Sequence, residues 1–421
     1  MYIENIQKKI NPSFTSDSKR DGLWFFATIL YLIIDYGRPQ DLLPIGFIRP
    51  ALIVSVLLAF FLLKRRFILE TNYSQIKTIW FFILLLAVYI PFARNNHYAY
   101  QTTMAMLIRM PFILSVIICV NSVDRLRKMI VVLISIMCYV AFYGLTHHGM
   151  GSGGYFADEN DLSLYINMYL PFCYFLFMVE KKVFYKLLYG GGLVAGLVAI
   201  ATSFSRGGFI GLLAITLVVW LVSPRKVVSV IIILILAVCM QMYAGDAYWK
   251  EMSTISDINE STAQARMESW KAAWRMFLDN PLGVGGNNFQ VLFSQYQSEE
   301  FFKRGMWGRV SHSIWFTLIP ELGIIGIIIY AKLLRSNLKD LFFLKRVDVN
   351  NNPDLAYIHA LSLAFIASLA GYFATGTFLS VLYYPHYWYL TAFIVVTVKI
   401  TRDLLSVSLL QQTESEVENN L

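Results

Sequence analysis

The sequence predicts an all-α polytopic membrane protein of about 12 transmembrane helices, and three observations carry that prediction. Of its 421 residues, 57% are hydrophobic and only 15% charged, whereas an ordinary soluble domain carries about a quarter charged residues. The apolar runs recur from Leu23 to Ile400 with no soluble module between them. That favours one bundle over 1–421 rather than the two or three domains suggested by length alone. Short basic clusters stand between the runs. A net charge of +8 can signal a nucleic-acid partner, but this spacing is the pattern of membrane topology signals, so no nucleic acid is expected.

A spanning helix needs about 20 apolar residues, fewer where neighbours assist. The runs are Leu23–Tyr36, Phe47–Leu63, Ile76–Phe92, Thr102–Val120, Met129–Thr146, Leu162–Val179, Phe184–Phe204, Gly207–Val222, Val227–Tyr243, Ser313–Leu334, Leu355–Thr375 and Ser380–Val398. The first is short and closes on Gly37 and Pro39; only a turn at Gly376-Thr377 separates the last two. Met1–Arg20 is polar with no apolar h-region, so no cleaved signal peptide is expected. Val347–Asp354 and Gln411–Leu421 read as a polar loop and tail. Cys119, Cys138, Cys173 and Cys239 each lie inside an apolar run without a CxxC pair, and read as inert buried thiols rather than zinc ligands or disulfides.

Lys64-Arg65-Arg66, Arg125-Arg127-Lys128, Lys181-Lys182, Arg225-Lys226 and Lys332–Arg346 follow even-numbered spans, and Lys19-Arg20 precedes the first. The positive-inside rule then puts both termini in the cytoplasm. The opposite face receives Gly37–Gly46, Ala93–Gln101, His147–Asp161, the Ser205-Arg206 turn, a long loop over 244–311 between spans nine and ten, and the turn near Gly376. ATP is absent from that face and the chain has no GxxxxGK[ST] loop, so chemistry there needs a pre-activated substrate.

Arg206 stands in Thr202-Ser203-Phe204-Ser205-Arg206-Gly207-Gly208, at the junction of two apolar runs. An arginine there is costly unless it pairs or snorkels to the interface. Snorkelling is the plain reading. The alternative is an anion site, because the Ser205 hydroxyl and the glycine pair let backbone and guanidinium approach phosphate oxygens together. Arg266 opens an amphipathic pattern with Met267, Trp270, Trp274 and Phe277 on one face and Lys271, Arg275 and Asp279 on the other, stopped by Asn280-Pro281-Leu282-Gly283. Such a helix is expected in the interface plane, with its tryptophans at headgroup level and Lys271 and Arg275 solvated or touching lipid. Arg266 sits at the expected helix start, where amides also favour anions.

His312 precedes a strongly apolar run and reads either as a satisfied polar residue or as a proton acceptor, since an unperturbed imidazole titrates near about 6.5. Glu321, about two and a half turns deeper, is expected buried and paired or neutral. The segment Gly149–Asp161 is glycine-rich, then acidic, and lacks EF-hand spacing. Asp158 and Asn160 therefore read as N-capping and sugar-hydroxyl-binding groups rather than metal ligands. Arg38 and Arg109 are secondary candidates for anion contact. His97, His147, His148 and His386 have no ligand spacing.

Taken together, Tyr155-Phe156-Ala157-Asp158-Glu159-Asn160-Asp161, Ser205-Arg206-Gly207-Gly208, Arg266 with Trp270 and Asn280-Pro281-Leu282-Gly283-Val284-Gly285, and His312 with Glu321-Leu322-Gly323-Ile324-Ile325-Gly326 resemble the O-antigen ligase and polymerase superfamily. The resemblance implies a C-type glycosyltransferase-like fold in the bacterial inner membrane with a periplasmic site. It implies an undecaprenyl-diphosphate-linked oligosaccharide donor held by Arg206 and Arg266, and an acceptor hydroxyl activated by His312. Inversion at the anomeric carbon, without metal or cofactor, is implied as well. Ser205, Asp158, Asn160, Arg38 and Trp270 are expected to touch substrate. A ligase transferring to lipid A-core is the preferred reading, and a polymerase extending a growing glycan is the alternative. A lipid-linked sugar transporter is a further rival, but transporters place charges at the bilayer midplane, whereas these gather at one face.

Overall fold

A computed structural model describes residues 18–43, 46–64, 72–147, 149–156, 158–231, 261–303, 308–349 and 352–419, with 234, 238, 241, 249, 250, 252 and 253 in addition. Among these the backbone is helical, with no strand beyond an isolated bridge between Gly153 and Phe156. The helices are α1 Ser18–Leu32, α2 Pro50–Lys64, α3 Ser74–Tyr89, α4 Asn96–Cys119, α5 Val123–Thr146, α6 Glu159–Val179, α7 Val183–Thr202 and α8 Arg206–Val222. After the long insertion come α9 Ser261–Asp279, α10 Phe289–Tyr296, α11 Ile314–Arg346, α12 Pro353–Gly376 and α13 Pro385–Asn419. Among the described residues, seven helices are long and apolar enough to cross a membrane, and three shorter apolar ones accompany them. The chain is a polytopic helical membrane protein.

Its surface supports that class. Phe60, Trp80, Phe81, Leu84, Val194 and Leu217 point outward and are exposed, a density of apolar surface that water does not tolerate on a monomer but hydrocarbon does. The interior is aromatic instead. Tyr387, Trp388 and Tyr389 at the start of α13 are fully enclosed, with Trp388 against Phe82 at 4.7 Å between ring centroids. Small residues set how closely the helices approach. A methyl group on Gly211 would lie 1.9 Å from the Thr375 hydroxyl and 2.4 Å from the Asn167 amide nitrogen. The same Asn167 amide donates to the Gly208 carbonyl at 2.8 Å and to Thr375 at 3.1 Å, clamping α6, α8 and α12 together.

Several boundaries differ from expectation. The ninth apolar run, Val227–Tyr243, falls mostly outside the described residues, as do Met1–Asp17, Ala157, His148, Cys239 and much of 244–260. The final helix starts at Pro385 rather than Ser380, because residues 377–384 form a longer turn after Gly376. It then continues as helix to Asn419, through the stretch expected to be a tail. Helix α9 begins at Ser261, so Arg266 stands more than a turn inside it and not at its amino end. Helix α11 runs for 33 residues to Arg346, past the expected end of span ten at Leu334, so the basic cluster Lys332–Arg346 is the end of that helix.

Candidate active site at one end of the bundle

Arg206 is the first residue of α8. Ser205 caps that helix, accepting from Gly208 N at 2.9 Å, and its hydroxyl donates to Asn160 Oδ1 at 2.7 Å. Asp158 in turn caps α6, accepting from Asn160 N at 2.9 Å and Asp161 N at 2.8 Å. Two helix caps are thus linked, and the Gly149–Asp161 segment is fastened to the turn that carries Arg206. The N-capping expected of Asp158 is what the structure shows; the Ser205 and Asn160 side chains are engaged with each other.

The 244–311 insertion contains a folded unit. Ala272, Ala273 and Met276 of α9 pack on Phe289 and Phe293 of α10 to form a small core of their own. Glu268 fixes the end of α10, accepting from Ser298 N at 2.7 Å. Trp270 docks this unit onto the bundle: its indole nitrogen donates to the Ser311 carbonyl at 3.1 Å, and its ring stacks on Phe316 of α11 at 5.3 Å. Trp274 of the same helix is by contrast 49% exposed.

The docking brings the two arginines together. Arg206, Arg266, Trp270, Phe378, Ile210 and Met267 line one cavity of about 180 Å³. Arg266 reaches it from the second turn of α9, so a side chain and not a helix terminus supplies its positive charge.

His312 stands just before α11, where Ser313 is the N-cap; it is not a lining residue of this cavity, but it lies close enough to Arg266 to feel its charge. The buried Ser311 hydroxyl bonds Thr317 at 2.7 Å and Ser380 at 3.2 Å, which fixes the loop. His312 itself has φ +48°, a left-handed conformation unusual for a residue with a side chain. Burial, followed by the charges of Arg309 and Arg266, lowers its pKa to about 4, and Asp158 pulls weakly the other way. The imidazole is therefore neutral at pH 7, and no hydrogen bond to a described residue occupies either nitrogen. Arg309 adds a third cation: its pKa is lowered by burial and by Arg266, and its Nε is buried without a partner.

The turn over Pro281–Asn288 is sewn to α11 where that helix breaks. Gly323 has φ +60° and ψ −160° inside α11, a conformation essentially reserved for glycine. The backbone groups freed there bond the turn: Val284 N to Pro320 O at 3.0 Å, Gly285 N to Glu321 O at 2.8 Å and Ile324 N to Pro281 O at 3.0 Å. The Glu321 carboxylate, 2% exposed, accepts from Asn287 N at 2.7 Å, Phe289 N at 3.1 Å and the Tyr383 hydroxyl at 2.6 Å. Asn288 ties the same turn to Asn95 by a reciprocal pair of bonds.

Arg38 lies apart from these residues. It pairs with Asp41, and together with Arg109 it lines a different cavity. Arg309, Phe378, Ser311 and Tyr383 were not picked out by sequence. Arg309 was the most legible of them, as a cation three residues before His312. The other three are ordinary residues given a role only by packing.

The arrangement defines a class: a polytopic helical membrane protein with an arginine-lined cavity, and a neutral histidine coupled to one of those arginines, at one end of the bundle, assembled from a helical insertion and the helix starts beneath it. Residues 191–331, about a third of the chain, match the family model described as O-antigen ligase, a match that supports the resemblance to the O-antigen ligase and polymerase superfamily. It covers Arg206, Arg266, Trp270, Arg309, His312 and Glu321. No curated protein matches the chain.

Proposed function

We propose that the protein is an inverting, metal-independent glycosyltransferase of the O-antigen ligase type. It moves a glycan from undecaprenyl diphosphate to an acceptor hydroxyl on the periplasmic face of the inner membrane. Both termini are then cytoplasmic, and 244–311 is a periplasmic insertion in a single membrane domain. The observation that carries this reading is the convergence of Arg206 and Arg266 on one cavity, with neutral His312 within the electrostatic reach of Arg266. Two arginines in the wall of one small space suit a diphosphate, whose oxygens accept bidentate bonds, and Ile210, Met267 and Phe378 supply apolar wall for the lipid side.

In the proposed reaction an acceptor hydroxyl oxygen attacks the anomeric carbon and its proton passes to His312. The bond from the anomeric carbon to the diphosphate breaks, with the electron pair leaving on undecaprenyl diphosphate. Arg206 and Arg266 stabilise the charge that grows on that leaving group. Proton acceptance by a positioned base is typically worth about 10²- to 10⁴-fold. Burial, and after it the charges of Arg309 and Arg266, hold His312 neutral and make it a weak base in the free protein. A bound diphosphate offsets those charges, so basicity rises when the donor is in place.

Purified protein incubated with undecaprenyl-diphosphate oligosaccharide, with and without lipid A-core, tests the proposal. One transfer that requires the acceptor is the expected result. A ladder of repeats from donor alone assigns the chain to the polymerase branch. Donor left intact in detergent, where no compartments exist to transport between, refutes transfer and favours a carrier.

A further inference from the structure

A second cavity of about 280 Å³ opens at the same end of the bundle, with Asp35, Arg38, Arg49, Arg109, Tyr31 and Tyr155 in its wall. It is larger than the Arg206 cavity and shares no lining residue with it. Arg109 is buried, 7% exposed, and its guanidinium donates to the Tyr383 carbonyl at 2.8 Å and the Tyr155 hydroxyl at 2.9 Å. A cation is not buried without compensation, and Asp35, also buried, is the carboxylate in the same wall, accepting from Tyr389 at 2.7 Å. Arg38 is paired with Asp41 and lies 5.5 Å from the Tyr155 ring centre. The chain at Gly154 comes so close that a methyl group there would lie 2.1 Å from the Arg38 guanidinium carbon.

Arg49 differs from these. It is exposed at the mouth of the cavity, and no hydrogen bond or ion pair among the described residues engages its side chain. Arg38 and Arg49 both have left-handed backbones, φ +48° and +52°, which residues with a Cβ adopt rarely and often at functional sites. Even with Asp41 set against Arg38, the wall keeps an excess of positive charge. It also offers groups suited to hydroxyls: the Asp35 carboxylate, the phenols, and Gln40 Oε1, which is buried without a partner. A volume of about 280 Å³ leaves room for a small polar ring.

We propose that this cavity is a subsite for an acidic sugar of the acceptor glycan, a hexuronate ring whose carboxylate is taken by Arg49 and whose hydroxyls meet Asp35, Gln40 and Tyr155. The inference rests on the glycan-transfer reading for its biological use, but its test requires no transfer. Full-length protein in lipid nanodiscs is titrated with methyl glucuronide, methyl glucoside and glycerol 1-phosphate, with binding read by saturation-transfer NMR. The glucuronide is expected to bind at least fivefold more tightly than the glucoside. Arg49→Ala is expected to remove at least that preference, Arg49→Lys to keep part of it, and Arg206→Ala to leave it intact. Arg49 is exposed, and an unchanged Tm confirms that its variants fold. Equal binding of the two sugars, insensitivity to Arg49→Ala, or loss in Arg206→Ala overturns the subsite. Preference for glycerol 1-phosphate overturns it in favour of a lipid headgroup pocket. Glucuronide binding by a protein that transfers nothing refutes only the transfer reading.

Discussion

The Tyr383 hydroxyl donates a hydrogen bond of 2.6 Å to the Glu321 carboxylate, and the Tyr383 carbonyl accepts from Arg109 at 2.8 Å. One residue of the 377–384 turn therefore touches both the anchor of the Arg266-bearing insertion and the wall of the second cavity. Removal of the carboxylate in Glu321→Ala strands two backbone amides and a phenol in a buried place. Leaving such a group unsatisfied costs about 1–3 kcal/mol. We expect a clear fall in Tm in detergent and faster proteolysis within 281–303, with Glu321→Gln milder because it keeps one acceptor oxygen. An unaltered Tm in Glu321→Ala contradicts the anchoring role.

The position of His312 fixes a pH signature. Its pKa near 4 lies below the ordinary 6.5, so the acid limb of kcat/KM, which reports the free enzyme, is expected near pH 4. The limb of kcat is expected at higher pH, because bound diphosphate offsets Arg266 and Arg309. Between about pH 4 and 6.5 the unfolded chain binds a proton that the folded chain does not, so this residue makes stability rise with pH across that window. Identical limbs for kcat and kcat/KM would show that the donor does not tune the base.

For the paired arginines, Arg206→Lys and Arg266→Lys are each expected to lower kcat/KM by about two orders of magnitude, since lysine lacks the planar fork that takes two oxygens at once. The measurement is single-turnover transfer by purified protein. Full activity in either lysine variant removes the bidentate role.

Arg309→Ala tests the third cation. It takes away a charge that depresses His312, so the acid limb of kcat/KM should move up in pH while the donor KM rises. An unmoved limb would place Arg309 outside the electrostatics of the site.

Gly211→Ala probes the helix clamp. The added methyl meets Thr375 and Asn167 at distances no real contact shows, and overpacking costs typically about 1–3 kcal/mol. Reduced Tm and yield are expected, with only partial rescue by the double variant Gly211→Ala/Thr375→Ala, which removes the obstructing hydroxyl but leaves the Asn167 amide nitrogen 2.4 Å from the methyl.

Hydropathy alone determined that the chain is a helical membrane bundle and where most of its apolar helices lie, though not how far α11 and α13 run on, because a spanning helix must satisfy its own backbone and so writes itself into one continuous apolar run. Short local signals were equally readable: Asp158 as a cap, and the stop at Asn280-Pro281. Only the tertiary structure decided what faces what. Arg206 and Arg266 are far apart in the chain and meet because Trp270 docks α9 on α11. Ser205 and Asn160 are drawn into each other, and Arg38 is drawn into a separate cavity. The start of α9 before Arg266 and the helical run to Asn419 were hidden because polar segments carry no hydropathy signal. Arg309, Phe378 and Tyr383 were hidden because a packed contact between distant segments leaves no local pattern in sequence.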